Sequence, residues 1–342
     1  MVEEEERVAK KPKMSTEQKH LQICTHSGQF HADESLAVYM LKTLPKFKDA
    51  TVVRSRDPKV WEESDIVVDV GGISDEVKFF DHHQRDFEGT FSSKYSSKLS
   101  SAGLIYKHFG KEIISVNLEL NAEKDSESID LLYEKIYKEF IEAIDANDNG
   151  ISAYGKDAKP LFSEKNFKLA SVVQHLNPSW INDPKDADYD AAFAKASEFM
   201  GMFFTNVLND YGKAWLPARQ YVEKAVAEST SIDPQGRILV LDRFVPWQDH
   251  LFTIERETKK KVALYVLFED TSGNWRISAV PAAAGSFDSR KKLPEPWRGV
   301  RDDALSKLTN VEGCVFVHAA GFIGGAKTKD AVLQLAKMAV DY

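Results

Sequence analysis

Short apolar segments alternate with helical segments along the first half of the chain, and each apolar segment ends in polar residues. Residues 34–44 and 130–146 carry apolar side chains at helical spacing, whereas four shorter segments have the length and composition of strands. The predicted strands are residues 21–25, 50–53, 65–70 and 77–80. This alternation predicts an α/β fold with a doubly wound, mainly parallel sheet.

Changes in composition along the chain predict its domain organisation. Residues 1–20 are polar and charged, which is typical of a disordered tail, and residues 21–185 form the predicted α/β domain. Residues 186–234 are predicted to be a helical connector that is broken near Pro217. Residues 235–342 contain strand-like segments and a final amphipathic helix, so we expect a smaller α+β domain there.

Composition limits the classes of function. Of the 342 residues 43% are apolar, and no apolar stretch reaches the ~18 residues that a membrane span needs, so we expect no membrane partner. Cys24 and Cys314 are the only cysteines, which favours a reducing compartment over a disulfide framework. The net charge is −8, so binding of nucleic acid requires a local basic patch or metal ions. The four acids at residues 3–6 argue against a mitochondrial transit peptide.

Four clusters of metal-ligand residue types lie where strands or helices are predicted to end. An isolated Asp at a strand end is usually a turn residue, but the carboxyl ends of neighbouring parallel strands meet at one edge of a sheet. Together the clusters offer more ligands than one ion uses, which predicts a two-metal site for displacement at phosphorus. Mixed Asp and His ligation suits Mn²⁺, with Mg²⁺ and Zn²⁺ as alternatives. The clusters are His26, His31 and Asp33; Asp69; Asp81, His82 and His83; and Asp145 with Asp148.

Two segments are predicted to bind the substrate's phosphates. A Gly-rich loop that leads towards a helix at Thr328 presents backbone amides to an anion, and its candidate residues are His318, Gly321, Gly324 and Gly325. Residues 276–301 carry six cations against two acids, and there Trp297 offers a stacking face beside Arg298 and Arg301. A plain turn and an ordinary solvated charge run are the alternatives. Arg54 and Arg56 follow a predicted strand at the same sheet edge as the metal clusters.

The order of these motifs resembles that of the DHH phosphoesterase superfamily, whose name describes residues 81–83. The likeness is greater to one branch, the melanocyte proliferating gene exonuclease family, and extends over nearly the whole chain after the tail. It is carried by residues 25–34, 80–84, 145–150, 296–299 and 316–325. The superfamily has two domains and binds two metals in the first.

The resemblance assigns roles to individual residues. It implies that Asp81, His82 and His83 form the catalytic triplet, and it favours Asp148 over Asp145 as the last ligand. His31 stands where many members have Asp, which bears on metal preference. The implied metal ligands are His26, His31, Asp33, Asp69, Asp81, His82 and Asp148 or Asp145.

The resemblance also implies a 3′→5′ exonuclease that acts on single-stranded RNA in RNA processing, in the nucleus and mitochondria, with two Mn²⁺ ions. A cytoplasmic location is the alternative, and the oligomeric state is left open. Two other functions stay open on the residues themselves. One is a hydrolase of small phosphorylated molecules such as pyrophosphate or short oligonucleotides, and the other is a non-catalytic nucleic-acid-binding protein.

Overall fold

The structure is a computed structural model that describes residues 20–154 and 161–342. Residues 1–19 of the predicted tail therefore lie outside the described residues. The chain forms two compact units, Met1–Val207 and Leu208–Tyr342. The division between them falls within residues 186–234, the segment predicted as a connector.

The first unit contains a sheet of four parallel strands. The order across the sheet is β2-β1-β3-β4, and in the central strand Ile23 pairs with Val52 on one side and Ile66 on the other. Each strand is short, and β4 has two residues where four were predicted. The strands are β1 (Gln22–Thr25), β2 (Thr51–Arg54), β3 (Ile66–Val68) and β4 (Phe79–Phe80).

Helices cover both faces of this sheet. On one face the ring of Phe80 packs against Phe109, with 5.7 Å between ring centroids. On the other face Trp61 packs against a buried cluster that includes Cys24 and Val67. Successive strand residues point to opposite faces, so buried apolar runs such as residues 66–68 need cover on both sides. The predicted doubly wound parallel sheet is confirmed.

The helices of the first unit position the ends of these strands. Ser100 is the N-cap of the third helix, because its hydroxyl accepts a hydrogen bond from Gly103 N. The predicted helix over 130–146 extends further at both ends and contains a π-helical turn, Tyr137–Ile141. The helices are α1 (Ala32–Thr43), α2 (Pro58–Glu63), α3 (Ser101–Leu118), α4 (Ser126–Ile136), α5 (Glu142–Asp148), α6 (Leu169–Leu176) and α7 (Asp186–Asp210), the last of which ends in the second unit.

The second unit is built on a mixed sheet of five strands in the order β5-β6-β7-β9-β8. The first pair is parallel and the remaining pairs are antiparallel, as expected for an α+β domain. Its strands are β5 (Ile238–Val240), β6 (Tyr265–Glu269), β7 (Trp275–Ala279), β8 (Cys314–Val317) and β9 (Ile323–Ala326), and its helices are α8 (Leu216–Ile232), α9 (Gln248–Thr258), α10 (Asp302–Thr309) and α11 (Lys329–Asp341).

Two predictions for the second unit are wrong. Pro217 does not break the helical segment: it lies in the first turn of α8, directly after a π-helical turn at Tyr211–Trp215. Proline is tolerated there because the first turn of a helix needs no N–H donor from it. Strand β9 occupies part of the predicted Gly-rich loop, and helices α9 and α10 were not predicted.

Among the described residues, no helix combines the length and apolar character needed to cross a membrane.

Candidate metal centre

Asp69 lies at the middle of a buried cluster of imidazole and carboxylate groups. It directly follows β3, is 4% exposed, and has a left-handed backbone with φ of 57°. Its Oδ2 is 3.4 Å from His26 Nε2, and its Oδ1 is 3.4 Å from His82 Nε2. A non-glycine residue in this conformation is uncommon outside sites where the surrounding structure imposes it. The strand end therefore aims one carboxylate at side chains from two other loops.

The side chains around Asp69 form two overlapping groups that could each hold a metal ion. The first combines Asp69 with His26, His31 and Glu34, and the second combines it with His82 and His83. Within each group the candidate ligand atoms all lie within 4.8 Å of one another. Asp69 belongs to both groups, so it is the residue that would contribute to both ions if two were bound.

A third group joins Asp33, His82 and Asp148. His82 Nε2 is 3.1 Å from Asp148 Oδ2, at the end of α5. Asp33 is 1% exposed at the start of α1, and its Oδ2 accepts a hydrogen bond from Ser101 Oγ (2.6 Å) at the first turn of α3. The structure thus brings together residues from three loops and two helix ends.

Unpaired polar atoms test whether these residues fit a divalent cation. Four buried atoms at the centre accept or donate no hydrogen bond among the described residues, although they lie near polar neighbours. A buried polar atom without a partner destabilises the folded state by about 1–3 kcal/mol. Four such atoms in one cluster therefore favour a bound group that pairs with them. Three carboxylate oxygens and one imidazole nitrogen form a donor set that suits Mn²⁺ or Mg²⁺. The atoms are Asp33 Oδ1, Glu34 Oε2, Asp69 Oδ1 and His82 Nε2.

The electrostatics of the cluster also favour bound cations. Burial alone would lower the pKa of His26, but hydrogen bonds to Asp69 and Glu34 outweigh it and raise the pKa to about 9. Burial likewise opposes the charged form of His82, yet the contacts with Asp148 and Asp69 raise its pKa to about 10. Burial and the neighbouring acids raise the pKa of Asp33 well above its usual range. The acids thus keep the neighbouring histidines protonated. Divalent ions would place more positive charge at the same position.

Asp81 lies beside this cluster and orients His83. Its Oδ1 is 2.7 Å from His83 Nδ1, and its Oδ2 accepts a hydrogen bond from Gly72 N (2.6 Å). The His83 side chain is 62% exposed, whereas Asp81 is 1% exposed. In this arrangement Asp81 is absent from the three candidate metal groups, and it fixes an exposed imidazole at their edge.

Comparison with known proteins places the chain in a family. The MYG1_exonuc family model, described as "Uncharacterised protein family (UPF0160)", matches residues 22–340. The chain belongs to the MYG1_exonuc family. The Saccharomyces cerevisiae MYG1 protein YER156C is 54% identical over 324 residues, covering 93% of this chain and 95% of the yeast protein. The Homo sapiens MYG1 exonuclease is 44% identical over 323 residues, covering 92% of this chain and 84% of the human protein. The predicted family is confirmed.

A search of solved structures found RecJ from Thermus thermophilus in complex with Mn²⁺. The match covers 94% of this chain and 52% of RecJ, with a TM-score of 0.24 and 12% sequence identity. The fold of this MYG1_exonuc member is defined by its own strand order.

The structure places Asp145 and Asp148 in different environments. Asp145 is fully buried, its Oδ1 accepts hydrogen bonds from Ser100 N (3.0 Å) and Ser100 Oγ (2.7 Å), and its Oδ2 accepts one from Tyr137 Oη (2.9 Å). It anchors the N-terminus of α3 and belongs to none of the candidate metal groups. Asp148 lies one helical turn further on, against His82. The geometry therefore favours Asp148 as the ligand.

Replacing Asp145 with Asn should make stability less dependent on pH. Burial raises the pKa of Asp145 to about 7 in the folded protein, from an ordinary value of 3.8. The folded state therefore holds a proton that the unfolded state has lost, so its stability is retained below pH ~4 and falls as the pH rises through ~7. Asn keeps the shape and does not ionise. Between pH 5 and pH 8 the variant should gain about 3 kcal/mol relative to wild type, measured by urea unfolding. Parallel pH profiles of the two proteins would contradict this assignment.

The two arginines predicted to contact phosphate are placed differently. The Arg54 side chain is 2% exposed, donates to Gly28 O (2.7 Å) and pairs with Asp190 (3.2 Å). Arg54 therefore stabilises the loop after β1 through Gly28, and its side chain does not reach solvent. Arg56 Nη2 lies 3.2 Å from His26 Nδ1, at the edge of the metal centre. Of the pair, Arg56 is the one available to a bound anion.

The predicted substrate-binding side chains of the second unit do not all face solvent. Trp297 is 4% exposed within the apolar core, so the prediction of an exposed stacking face is wrong. Arg298 Nε donates to Leu293 O (2.9 Å). His318 is exposed, and its ring lies 4.6 Å from that of Phe322, which is 43% exposed. His318 and Phe322 thus form an exposed aromatic pair, whereas Trp297 is buried.

The predicted glycine loop is also revised. Gly324 and Gly325 are buried in β9, where a Cβ on Gly325 would lie 2.5 Å from Arg276 Nη1. These two glycines allow close packing inside the sheet, so placing them in a loop was wrong. Gly321 remains in the turn with φ of 73°, beside Arg298. Arg301 is exposed, with its guanidinium 5.7 Å from the Phe316 ring.

Glu34 is a site residue that the sequence analysis missed. It is 0% exposed, its Oε1 is 3.1 Å from His26 Nε2 and accepts a hydrogen bond from His31 N (2.8 Å). An acid three residues after a helix N-cap is expected to reach back to the N-cap amide, so capping alone accounts for the residue type. The signal that could have identified it is position: the capped residue, His31, is itself a candidate ligand.

Proposed function

We propose that this protein is a metal-dependent exonuclease that degrades single-stranded RNA from the 3′ end. The observation that carries the proposal is the position of Asp69. It belongs to two candidate metal groups, and buried polar atoms without a hydrogen-bond partner surround it. The Homo sapiens relative is named an exonuclease, which supports a nuclease. RNA as the substrate, the 3′→5′ direction and a location in the nucleus and mitochondria remain predictions from the family resemblance.

The residues of the centre have distinct parts in the proposed reaction. His26, Glu34, Asp69, His82 and Asp148 would hold the ions, with Asp33 and His31 completing the sphere. Two bound ions would polarise the scissile phosphate and lower the pKa of the attacking water. The carboxylates would balance the positive charge of the bound ions and so help to position the phosphate.

His83 is placed to carry a proton in the proposed reaction. Its Nδ1 is held by Asp81, which leaves Nε2 of this exposed ring free to exchange a proton with the oxygen that leaves. Hydrogen bonding to Asp81, the main cause, raises the pKa of His83 above its usual value, so a larger fraction of the ring carries a proton at neutral pH. Arg56, near His26, is placed to contact a neighbouring phosphate.

Removal of metal should abolish RNA degradation, and replacement of Asp81 should slow it strongly. Wild-type protein with Mn²⁺ should shorten 5′-labelled single-stranded RNA progressively and release the label of 3′-labelled RNA as mononucleotide. A chelator should stop both reactions and added Mn²⁺ should restore them. Asp81→Ala should reduce the rate by about 100-fold, because loss of an orienting partner beside a metal site typically costs 10–100-fold.

Three outcomes would count against the proposal. Asp81→Ala protein that degrades RNA as fast as wild type would show that the assigned site is wrong. Faster phosphate release from pyrophosphate than from RNA would favour a small-molecule hydrolase. Tight RNA binding without turnover across Mn²⁺, Mg²⁺ and Zn²⁺ would favour a non-catalytic binding protein.

A further inference from the structure

A cavity of about 560 Å³ opens beside the metal centre, within the first unit. His31, His82 and Asp148 form the part of its lining that belongs to the candidate metal groups. Another part comes from helix α6, which no motif of the sequence analysis includes. Pockets for small ligands measure about 300–1,000 Å³, so the cavity has the size needed for one nucleotide unit.

The lining away from the metal groups carries neutral hydrogen-bonding side chains. Asn147 and Gln174 are exposed in the cavity, and neither side-chain amide is hydrogen-bonded to another described residue. Ser171 Oγ donates to Lys165 O and keeps its own lone pairs as acceptors. Among the described residues that line the cavity, none is Lys or Arg. This surface is suited to an uncharged group with several hydrogen-bonding atoms.

Helix α6 is fixed to the loop that precedes α1. Asn177, which follows the helix, accepts a hydrogen bond from Phe30 N (3.0 Å) and donates one to Phe30 O (3.0 Å). Phe30 immediately precedes His31, so this pair of bonds ties the helix to a candidate metal ligand. Val173 on the inner face of α6 is fully buried. Gln174 and Ser171 are therefore presented to the cavity from an anchored element.

We propose that this cavity binds the nucleoside part of the terminal nucleotide, and that Asn147 and Gln174 are specificity-determining residues that hydrogen-bond its base edge. The inference rests on the proposed function, since the scissile phosphate must then lie at the metal groups on the same cavity. Side-chain amides pair well with base edges because each offers both a donor and an acceptor.

Substrates that lack one part of the terminal nucleotide test this inference. Single-stranded RNA with an ordinary 3′ nucleotide is compared with the same RNA carrying an abasic 3′ ribose, using kcat/KM. Gln174→Ala should lose about 10-fold on ordinary RNA, as expected for one hydrogen bond to substrate, and little on abasic RNA. His175→Ala is the matched control, because this neighbour on α6 is exposed and does not line the cavity. Equal losses on both substrates for Gln174→Ala and Asn147→Ala would overturn the inference.

A binding measurement separates this inference from the proposed function. Calorimetry on Mn²⁺-saturated protein compares adenosine 5′-monophosphate with inorganic phosphate. Wild type should bind the nucleotide at least about 10-fold more tightly, and Gln174→Ala should reduce that ratio. If wild type degrades RNA but binds both equally, the cavity inference fails and the function stands. If wild type degrades no RNA but shows the Gln174-dependent ratio, the function fails and the nucleoside site stands.

Discussion

Replacing Asp69 with Asn should lower the rate of RNA degradation by about 10³-fold while leaving the protein folded. Loss of a residue that supports a metal ligand typically lowers activity by 10–100-fold. Loss of a carboxylate that would contribute to both ions should lower it more. Asn matches the size of Asp and tolerates the left-handed backbone found here, with φ of 57°, so strain should not increase. What the substitution removes is the negative charge between His26 and His82.

The metal content of the same variant gives a second measurement. Titration calorimetry with Mn²⁺ should show that wild type binds two ions, whereas Asp69→Asn should bind the second only weakly. Asp65→Asn is the matched control: it makes the same chemical change near the opposite end of β3, where Asp65 Oδ2 accepts a hydrogen bond from Gln22 N (2.7 Å). Asp69→Asn protein with wild-type turnover and metal stoichiometry would remove Asp69 from the centre of the site.

Sequence patterns predicted this centre because its geometry follows from topology. In a parallel sheet the strand ends share an edge, so residues after β1, β3 and β4 meet there whatever the details of their side chains. His26, Asp69 and His82 therefore lie together, although 56 residues separate the first from the last. Neighbour relations of this kind depend on strand order alone, which alternating apolar segments largely determine.

Features that depend on three-dimensional packing were not predictable from spacing. Asp145 and Asp148 are both acids at the end of one helix, and only the position of α3 decides that the former binds Ser100. Trp297 next to Arg298 in sequence is typical of a stacking surface, yet the Trp297 ring is buried in the apolar core of the second unit. Gly324 and Gly325 resemble a loop because glycine is rare within strands, and the side chain of Arg276 requires the space. In each case a contact with a residue distant in sequence determines where the side chain or backbone lies.

Replacing Gly201 with Ala should destabilise the first unit by about 3 kcal/mol, because overpacking a buried contact typically costs 1–3 kcal/mol and here the clash involves a ring. Gly201 is buried in α7, and a Cβ there would clash with the ring of Tyr39 in α1. Tyr39 is held in place by a hydrogen-bond contact between its hydroxyl and Thr205 Oγ1 (3.0 Å), so the ring cannot turn away without losing that contact. The melting temperature of the first unit should fall by roughly 6–12 °C.

A double-mutant cycle shows whether the ring of Tyr39 is the cause. In a Tyr39→Ala background the clash is absent, so Gly201→Ala should be neutral or should stabilise by up to about 1 kcal/mol, the helix propensity gained on replacing Gly with Ala. The coupling energy between the two sites should therefore approach the full cost of the single substitution. A loss of stability of equal size in both backgrounds would mean that Gly201 is needed for its backbone and not for the space it leaves. Because Tyr39 belongs to the helix that begins at Asp33 and Glu34, the cycle also tests how firmly α7 holds the ligand-bearing helix.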